Sequence, residues 1–580
     1  MWRAISHWYW PDGTARSLSA MVLPCTTVGV PIALYLLALV IRLALIAGFP
    51  HPAYPDSYYY VEVARNLAAG RGFVIDAVWI FAEVGGAIPA EPTLPIPSNA
   101  HWMPLASIVQ VPFIWLLGTE GWVSALSIAL IGALAAPLTW AIAREAGAAR
   151  LVAVGAGIMA AAPAASAVFF SQPENFGVYQ PLAVGALWMG ARGLKGHPGS
   201  FALGGLLVGL ATLARNDGVL LGAALAFAFA WDRWRSWRSH GARRPAIPMW
   251  AAVGCFALFL AAVAPWFARQ LAVFGSLSPS TDTGRVLFIR SIEEWNSITT
   301  PATLEWFLGQ GLGPLVVSRI GGLVAAITIF AVLVGGVLLV PFMLAGAWRR
   351  RRSRDFGPFF AYAVLLFSFS ALISAVHVPG GTFIHSAVAL APHAYILALE
   401  GIAVVVRWVA ASRRTWHEER ATRVFTAGAV TMTLLVAAGT AAVTYANWVE
   451  RRHDFRLVAE DLAAAGAAPA ERVMSIDAAG TLYWAGHPGV VLVNDPLPTI
   501  EEVARAYDIR WLVLNRADTV AAVAPILDGG PRPLWIGPPV AHRPARQPDG
   551  AEPLPEGAVD VAVFPVCSAP DDPRCADPED

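Results

Sequence analysis

The chain has 580 residues, 57% of them hydrophobic and 14% charged, and its formal net charge is zero. Soluble domains carry roughly 25% charged residues, so this composition excludes an ordinary soluble protein. The neutral balance supplies no basic footprint for a nucleic acid.

Apolar runs recur through the first 450 residues. The stretches Leu323–Leu344 and Val424–Trp448 hold no charge at all, and each is long enough to cross a hydrocarbon core of about 30 Å as a helix. Taken in chain order, the predicted spans are 21–49, 121–142, 151–170, 178–191, 199–214, 218–231, 249–267, 322–346, 357–376, 384–406 and 424–448. The first is too long for the apolar core of a cleavable signal peptide and is read as a span. Arginine bias sets the orientation. With the N-terminus in the cytoplasm, the cytoplasmic segments hold 21 basic residues, and the outer segments before the tail hold 7. Residues 104–118 (PLASIVQVPFIWLLG) are also apolar, but counting them as a crossing would put the run WRRRRSR outside. Their length and two prolines fit a re-entrant or surface-lying helix on the outer face instead.

Two domains follow from this reading. Residues 1–449 form the transmembrane domain, with surface helices in an outer loop at 50–120. Residues 450–580 form a small extracytoplasmic α/β domain with a Pro-rich tail. In that domain ERVMSID, GVVLVND and RWLVLN read as short buried strands, and AAGTLYWAG and TIEEVARAYDI as the helices between them. Such alternation predicts a three-layer unit. Cys567 and Cys575 could pair there, since an outer compartment permits disulfides. Cys25 and Cys255 lie in apolar spans, as small packing residues do.

The orientation gathers several polar residues on the outer side. After Pro55, Tyr60, Val63, Ala64, Leu67 and Ala68 fall at helical spacing, which predicts an amphipathic helix on the membrane surface. Asp56 opens that helix, where a carboxylate also serves as a cap. Glu174, in FFSQPENF, sits between two spans with almost no loop, and an ionisable group at that depth is a candidate functional group. Arg215-Asn216-Asp217-Gly218 is a polar island whose simplest use is a turn with Arg215 paired to Asp217. Arg42, late in the first span, has the reach to snorkel to the headgroups. Arg269 lies at the outer end of its span. Its planar fork suits a phosphate, and Trp266 beside it would equally suit an interfacial anchor. His101, His377 and His385 are on the same side. Together they could bind a metal, but no spacing argues for one.

In order, these segments resemble the GT-C superfamily of membrane glycosyltransferases, which includes the protein O-mannosyltransferases and the lipid A aminoarabinose transferase. The matching pieces are Arg42, PDSYYYVEVARNLAAGRGF, HWMPL, FFSQPENF, ARNDGVLL and PWFARQLAVFGSLSP. The resemblance covers residues 30–290 well and the later spans in outline. It implies an α-helical polytopic membrane protein of GT-C type, with about eleven transmembrane helices, in the plasma or inner membrane. It also implies a polyprenyl-phosphate-sugar donor used on the outer face and a lipid, glycan or protein acceptor hydroxyl. Asp56 matches the family's first-loop catalytic acid, and Glu174 its second acidic position. Arg269 is the counterpart of the basic residues that hold the donor phosphate, with Arg215 or His101 beside it. No cofactor is assigned, although a divalent metal could be accommodated. Ser57 stands where the O-mannosyltransferases carry a second acidic residue, which counts against a protein acceptor. The competing class is a transporter or lipid flippase. A long first loop and the absence of inverted repeats argue against that class.

Overall fold

The computed structural model describes residues 25–239, 244–282, 284–373, 381–413, 415–544, 558–567 and 573–575. His377 and the start of the first predicted span lie outside these residues. Ten of the eleven predicted spans correspond to a helix or a helix pair; the one at 322–346 is offset, since the span-length helix there is Leu312–Val334 and a second helix, Val340–Arg350, follows it. Six helices are long and apolar enough to cross a bilayer, or seven if the bent pair Arg150–Ala161 and Ala164–Ser171 counts as one span. The other four are Phe176–Leu194, Pro198–Ala214, Val219–Arg238 and Gly357–Leu372, of 19, 17, 20 and 16 residues. The two spans predicted at 14 residues are longer as helices because each helix continues past its apolar run; Val219–Arg238, for example, runs on through the polar WDRWRSWR. Residues 104–118 form the helices Leu105–Ile108 and Val111–Leu117. Even end to end these reach only about 20 Å, too short for a crossing. The chain is a multi-pass membrane protein.

Glu174 follows this bent pair directly. Pro163 has no N–H to continue a helix, and the pieces on either side of it meet at 50°. The break leaves carbonyls without intrahelical partners, where no bulk water can reach them. Arg42 fills the gap. It does not snorkel to the headgroups: it is 1% exposed, and its Nη1 donates to the carbonyls of Ala38 at 3.1 Å and Ala161 at 3.0 Å. Its guanidinium also lies 5.3 Å from the ring centre of Phe170.

At one end of the bundle sits a six-stranded sheet. The described residues hold eight strands in two sheets: β1 (Val74–Ile75), β2 (Ala77–Val78), β3 (Ile96–Pro97), β4 (Arg472–Ser475), β5 (Gly489–Val491), β6 (Ile509–Asn515), β7 (Ala541–Pro544) and β8 (Val559–Pro565). β1 pairs only with β3, and the large sheet runs β2-β5-β4-β6-β8-β7. The strands β2, β5, β4 and β6 are parallel, β8 adds antiparallel to β6, and β7 adds antiparallel to β8. The three strands read from sequence are β4, β5 and β6. Alternation along β6 sorts its side chains onto two faces. Trp511 and Val513 pack with Val458 and Leu462 of the helix Glu418–Ala464. Leu512 and Leu514 pack with Ile500 and Val503 of the helix Leu497–Ala506. The last membrane helix therefore runs without interruption past residue 449 to become one of the layers on the sheet. The cysteines Cys567 and Cys575 are joined in a disulfide.

The first loop enters this sheet. β2 lies on its edge, with Ala77 opposite Gly489 and Val78 opposite Val490. The helix Pro55–Ala68 accordingly does not present a polar side to water, as a bare amphipathic surface helix would. Residues Ser57–Val61, Val63, Ala64 and Asn66 are all buried, because the sheet and the helix Ala478–Ala485 cover the side that would otherwise face water. A chain ending at Arg452 should insert normally yet lose the order of this loop. Hydrogen–deuterium exchange would show residues 74–83 exchanging fast in the truncated protein and slowly in the full chain; equal protection would refute the coupling.

Candidate active site

Three consecutive tyrosines hold the helix Pro55–Ala68 in place. Tyr58 Oη accepts a hydrogen bond from Trp484 Nε1 at 3.0 Å, tying the helix to the C-terminal region. Tyr59 Oη donates to Glu83 Oε1 at 2.6 Å and accepts from the Asn99 N–H at 2.7 Å. Tyr60 Oη accepts from Asn175 Nδ2 at 3.3 Å, next to Glu174. Ser57 fixes the helix start: its Oγ accepts the N–H groups of Ala53 and Tyr54 and donates to the Tyr54 carbonyl. Ser57 is thus used for capping.

This frame aims Asp56. Its Oδ1 accepts from Trp102 Nε1 at 3.0 Å, and its Oδ2 lies 3.8 Å from His385 Nε2. The other imidazole nitrogen, Nδ1, lies 3.7 Å from Glu174 Oε2. His385 comes from the short helix Gly381–Ala387, and its ring stacks on Phe176 with centroids 4.5 Å apart. No spacing in the sequence gives His385 a partner; the structure sets it between the two acidic residues. Glu174 is 0% exposed. Its Oε1 accepts the Phe176 N–H at 3.2 Å. Burial, together with the charge of Asp56, raises its pKa. Burial raises that of Asp56 as well, against the Trp102 hydrogen bond and the charge of Arg215.

Asp56, Glu174 and His385 offer three ligand atoms within 4.8 Å of one another. Glu174 Oε2 and His385 Nδ1 are buried and have no hydrogen-bond partner. Two ligands on one ion, each at about 2.0–2.2 Å, would stand slightly closer together than Glu174 Oε2 and His385 Nδ1, which are 3.7 Å apart. Glu174 and His385, a carboxylate and an imidazole, would therefore hold a divalent cation after a small side-chain adjustment, with Asp56 at its edge.

Arg215 lies beside this cluster. Its Nε donates to Asp217 Oδ1 at 3.0 Å and to Ser386 Oγ at 3.2 Å, and Ser386 also bonds Asp217. The expected pair with Asp217 is present and is joined to the residue after His385. His101 belongs to an aromatic wall: its ring meets Trp79 and Trp102 edge-on at 5.2 and 5.1 Å. Its Nδ1 bonds Ser280 Oγ at 2.8 Å. Burial, with the charge of Arg215, lowers its pKa to about 4, so at neutral pH it offers a hydrogen bond and no charge. Arg269 stands apart from the acidic residues. Its guanidinium bonds Gln270 Oε1 and the Phe73 carbonyl and lies over the rings of Trp266, Phe274 and Phe73. Gln270 in turn donates to the Asn99 carbonyl at 2.7 Å, which connects Arg269 to the Tyr59 side of the frame.

No family model and no curated protein sequence matches the chain. Solved structures do match. ArnT from Cupriavidus metallidurans in the apo state superposes with a TM-score of 0.54 at 16% identity, over 93% of this chain and 98% of that one. The same protein bound to undecaprenyl phosphate gives 0.52 at 17%, over 95% and 100%. The Archaeoglobus fulgidus oligosaccharyltransferase in complex with Zn and sulfate gives 0.53 at 15%, over 88% and 71%. The chain has the GT-C fold. The aligned length spans both the helical bundle and the C-terminal sheet.

Two outcomes are expected. Titration with a divalent metal followed by calorimetry should give one binding event, weakened about 10-fold or more in His385→Ala; equal binding by the variant would remove His385 from the ligand set. Glu83 supports the site through Tyr59, and burial pushes its pKa from 4.5 up to about 8. Between those values the unfolded chain has released this proton and the folded chain has kept it, so stability falls as pH rises from 4.5 to about 8. The melting temperature of Glu83→Gln should fall less than that of the wild type between pH 5 and pH 8; parallel curves would contradict this.

Proposed function

We propose that the chain is a glycosyltransferase that moves a sugar from a polyprenyl-phosphate donor to an acceptor hydroxyl on the extracytoplasmic side of the cell membrane. The observation that carries this reading is the meeting of Asp56 and Glu174 around His385. They come from three separate segments and sit at the loop end of a GT-C bundle. Two features support the orientation. Arginines crowd the opposite end, and the Cys567–Cys575 disulfide lies in the region packed on the site end, as an oxidising compartment permits. The donor class rests on the shared fold, one member of which is ArnT bound to undecaprenyl phosphate.

In this reading the acceptor oxygen attacks the anomeric carbon. The new C–O bond forms as the bond to the phosphate oxygen breaks, with inversion at that carbon. Asp56 takes the acceptor proton, and its raised pKa brings it nearer the range suited to a general base. Trp102 holds the other carboxylate oxygen and so aims the free one. Arg215 stabilises charge on the departing phosphate, His101 contributes a hydrogen bond, and Arg269 binds the donor phosphate from the Phe73 side. A divalent cation held by Glu174 and His385, with Asp56 at its edge, would add positive charge near the phosphate. The acceptor is a lipid, a glycan or a protein. The C-terminal region, which roofs the helix carrying Asp56, helps to select it.

Asp56→Asn tests the role of Asp56. Turnover should fall by at least about 10²-fold, the usual contribution of a general base, while metal binding stays within a few-fold of wild type. Unchanged turnover would remove Asp56 from the chemistry. Loss of metal binding together with activity would make it a ligand and not the base.

A further inference from the structure

A second built feature lies at the other end of the bundle. The helix Val219–Arg238 begins beside Asp217 and runs 20 residues, which is about 30 Å. Its far end is therefore roughly one hydrocarbon thickness from the acidic cluster. There it borders a groove of about 1120 Å³ shared with the helix Gly357–Leu372 and the turn before it. Small-molecule pockets usually fall within roughly 300–1,000 Å³, so the groove has room for long chains.

Its walls and its mouth differ in chemistry. Phe227, Trp231 and Trp234 line one wall, at helical spacing on a single face. Phe360, Ala361 and Val364 line the other. The mouth carries Arg235, Arg238, Arg351 and Arg352, all exposed, beside Arg354, which bonds the Leu194 carbonyl. Two neighbouring cations at this end do have acidic partners. Arg350 pairs with Glu400, and Lys195 pairs with Glu145 at 2.9 Å and Asp355 at 2.7 Å. Among the described residues, the four arginines at the mouth make no ion pair with a carboxylate. Asp232, the acidic residue lining the groove, is buried and accepts the backbone N–H groups of Ala246 and Ile247.

We propose that this groove binds an anionic phospholipid, with the phosphate at the arginines and the acyl chains along the aromatic wall. Arginine forks pair with phosphate oxygens through two parallel hydrogen bonds. Basic pockets between membrane helices are the sequence-readable form of such sites. An apolar wall with an uncompensated basic mouth suits one occupant that carries both a phosphate and long chains. A soluble phosphate would use only the mouth, and a zwitterionic lipid would bring a cation to face the arginines.

The test uses the full-length protein in detergent and native mass spectrometry. Phosphatidylglycerol should remain bound where phosphatidylcholine does not. The variant carrying Arg235→Gln, Arg238→Gln, Arg351→Gln and Arg352→Gln should lose at least ten-fold of the bound phosphatidylglycerol. Ala361→Phe fills the groove and leaves the charge intact, and should lose a comparable amount. Arg413→Gln with Arg420→Gln, at the same end but outside the groove, should change nothing. Equal retention of both lipids would overturn the proposal, as would normal retention by Ala361→Phe or equal losses in the outside pair, which would mean general surface charge. Inorganic phosphate alone raising the melting temperature as much as phosphatidylglycerol would overturn the lipid assignment in favour of a simple anion site.

Discussion

The geometry of the acidic site depends on how the helix Pro55–Ala68 is gripped. Each of Tyr58, Tyr59 and Tyr60 is buried and so needs a partner for its hydroxyl, since an unpaired one would cost on the order of 1–3 kcal/mol. Successive side chains on a helix point about 100° apart. Three tyrosines in a row therefore reach three different neighbours: Trp484, Glu83 and Asn175. A rigid-body shift of the helix would strain at least one of these bonds. Asp56, in the first turn, inherits that immobility, and Trp102 removes the remaining freedom of its carboxylate. Preorganisation of this kind lets a carboxylate act without first rearranging.

Glu174 reaches the same place by a different device. The span before it is broken at Pro163, where its two pieces meet at 50°. The break exposes carbonyls in a setting without water, and Arg42 supplies the donor. Close approach of the neighbouring helices is part of the arrangement. A side chain at Gly132 would stand 3.1 Å from the Cα of Gly177 and 3.3 Å from Arg42 Nε. The bare backbone at these positions lets Arg42 reach Ala161 and lets the helix starting at Phe176 offer its first N–H to Glu174. That bond, at a helix N-terminus, favours an anion there. Complete burial opposes one, and the opposition is what makes a cation between Glu174 and His385 physically sensible.

The sheet serves the site through the first loop. By entering the sheet as an edge strand, Ala77–Val78 tethers the segment that carries Glu83, Asn99, His101 and Trp102. The loop is held at its start by Ser57 and the tyrosines, in its middle by β2, and at its end by Gln270, which bonds the Asn99 carbonyl. A loop of this length would otherwise sample many conformations, and each tether reduces that entropy. The helix Glu418–Ala464 completes the connection because it is both a membrane helix and a layer beneath the sheet.

The sequence by itself determined the features that depend on contiguous residues. Long apolar runs must leave water, so the helical segments were legible, the one at 322–346 with offset bounds, as were the strands β4, β5 and β6 with their buried alternation. Asp56 and Glu174 stood out because a carboxyl near apolar spans is costly wherever it points. Tertiary structure decided the rest. His385 lies far along the chain from both carboxylates, and a lone histidine in an apolar stretch has no spacing that reveals its partners. Arg42 had the reach to snorkel, and only packing against the break at Pro163 turned it inward. The helix Pro55–Ala68 has the pattern of a surface helix, and only the covering sheet buried its polar side. β2 is two residues long, too short for any periodicity, and its pairing with β5 is set by where the bundle places the loop. Local pattern reports which residues avoid water. Which of them meet across hundreds of positions is fixed by packing, because that choice is made between surfaces and not along the chain.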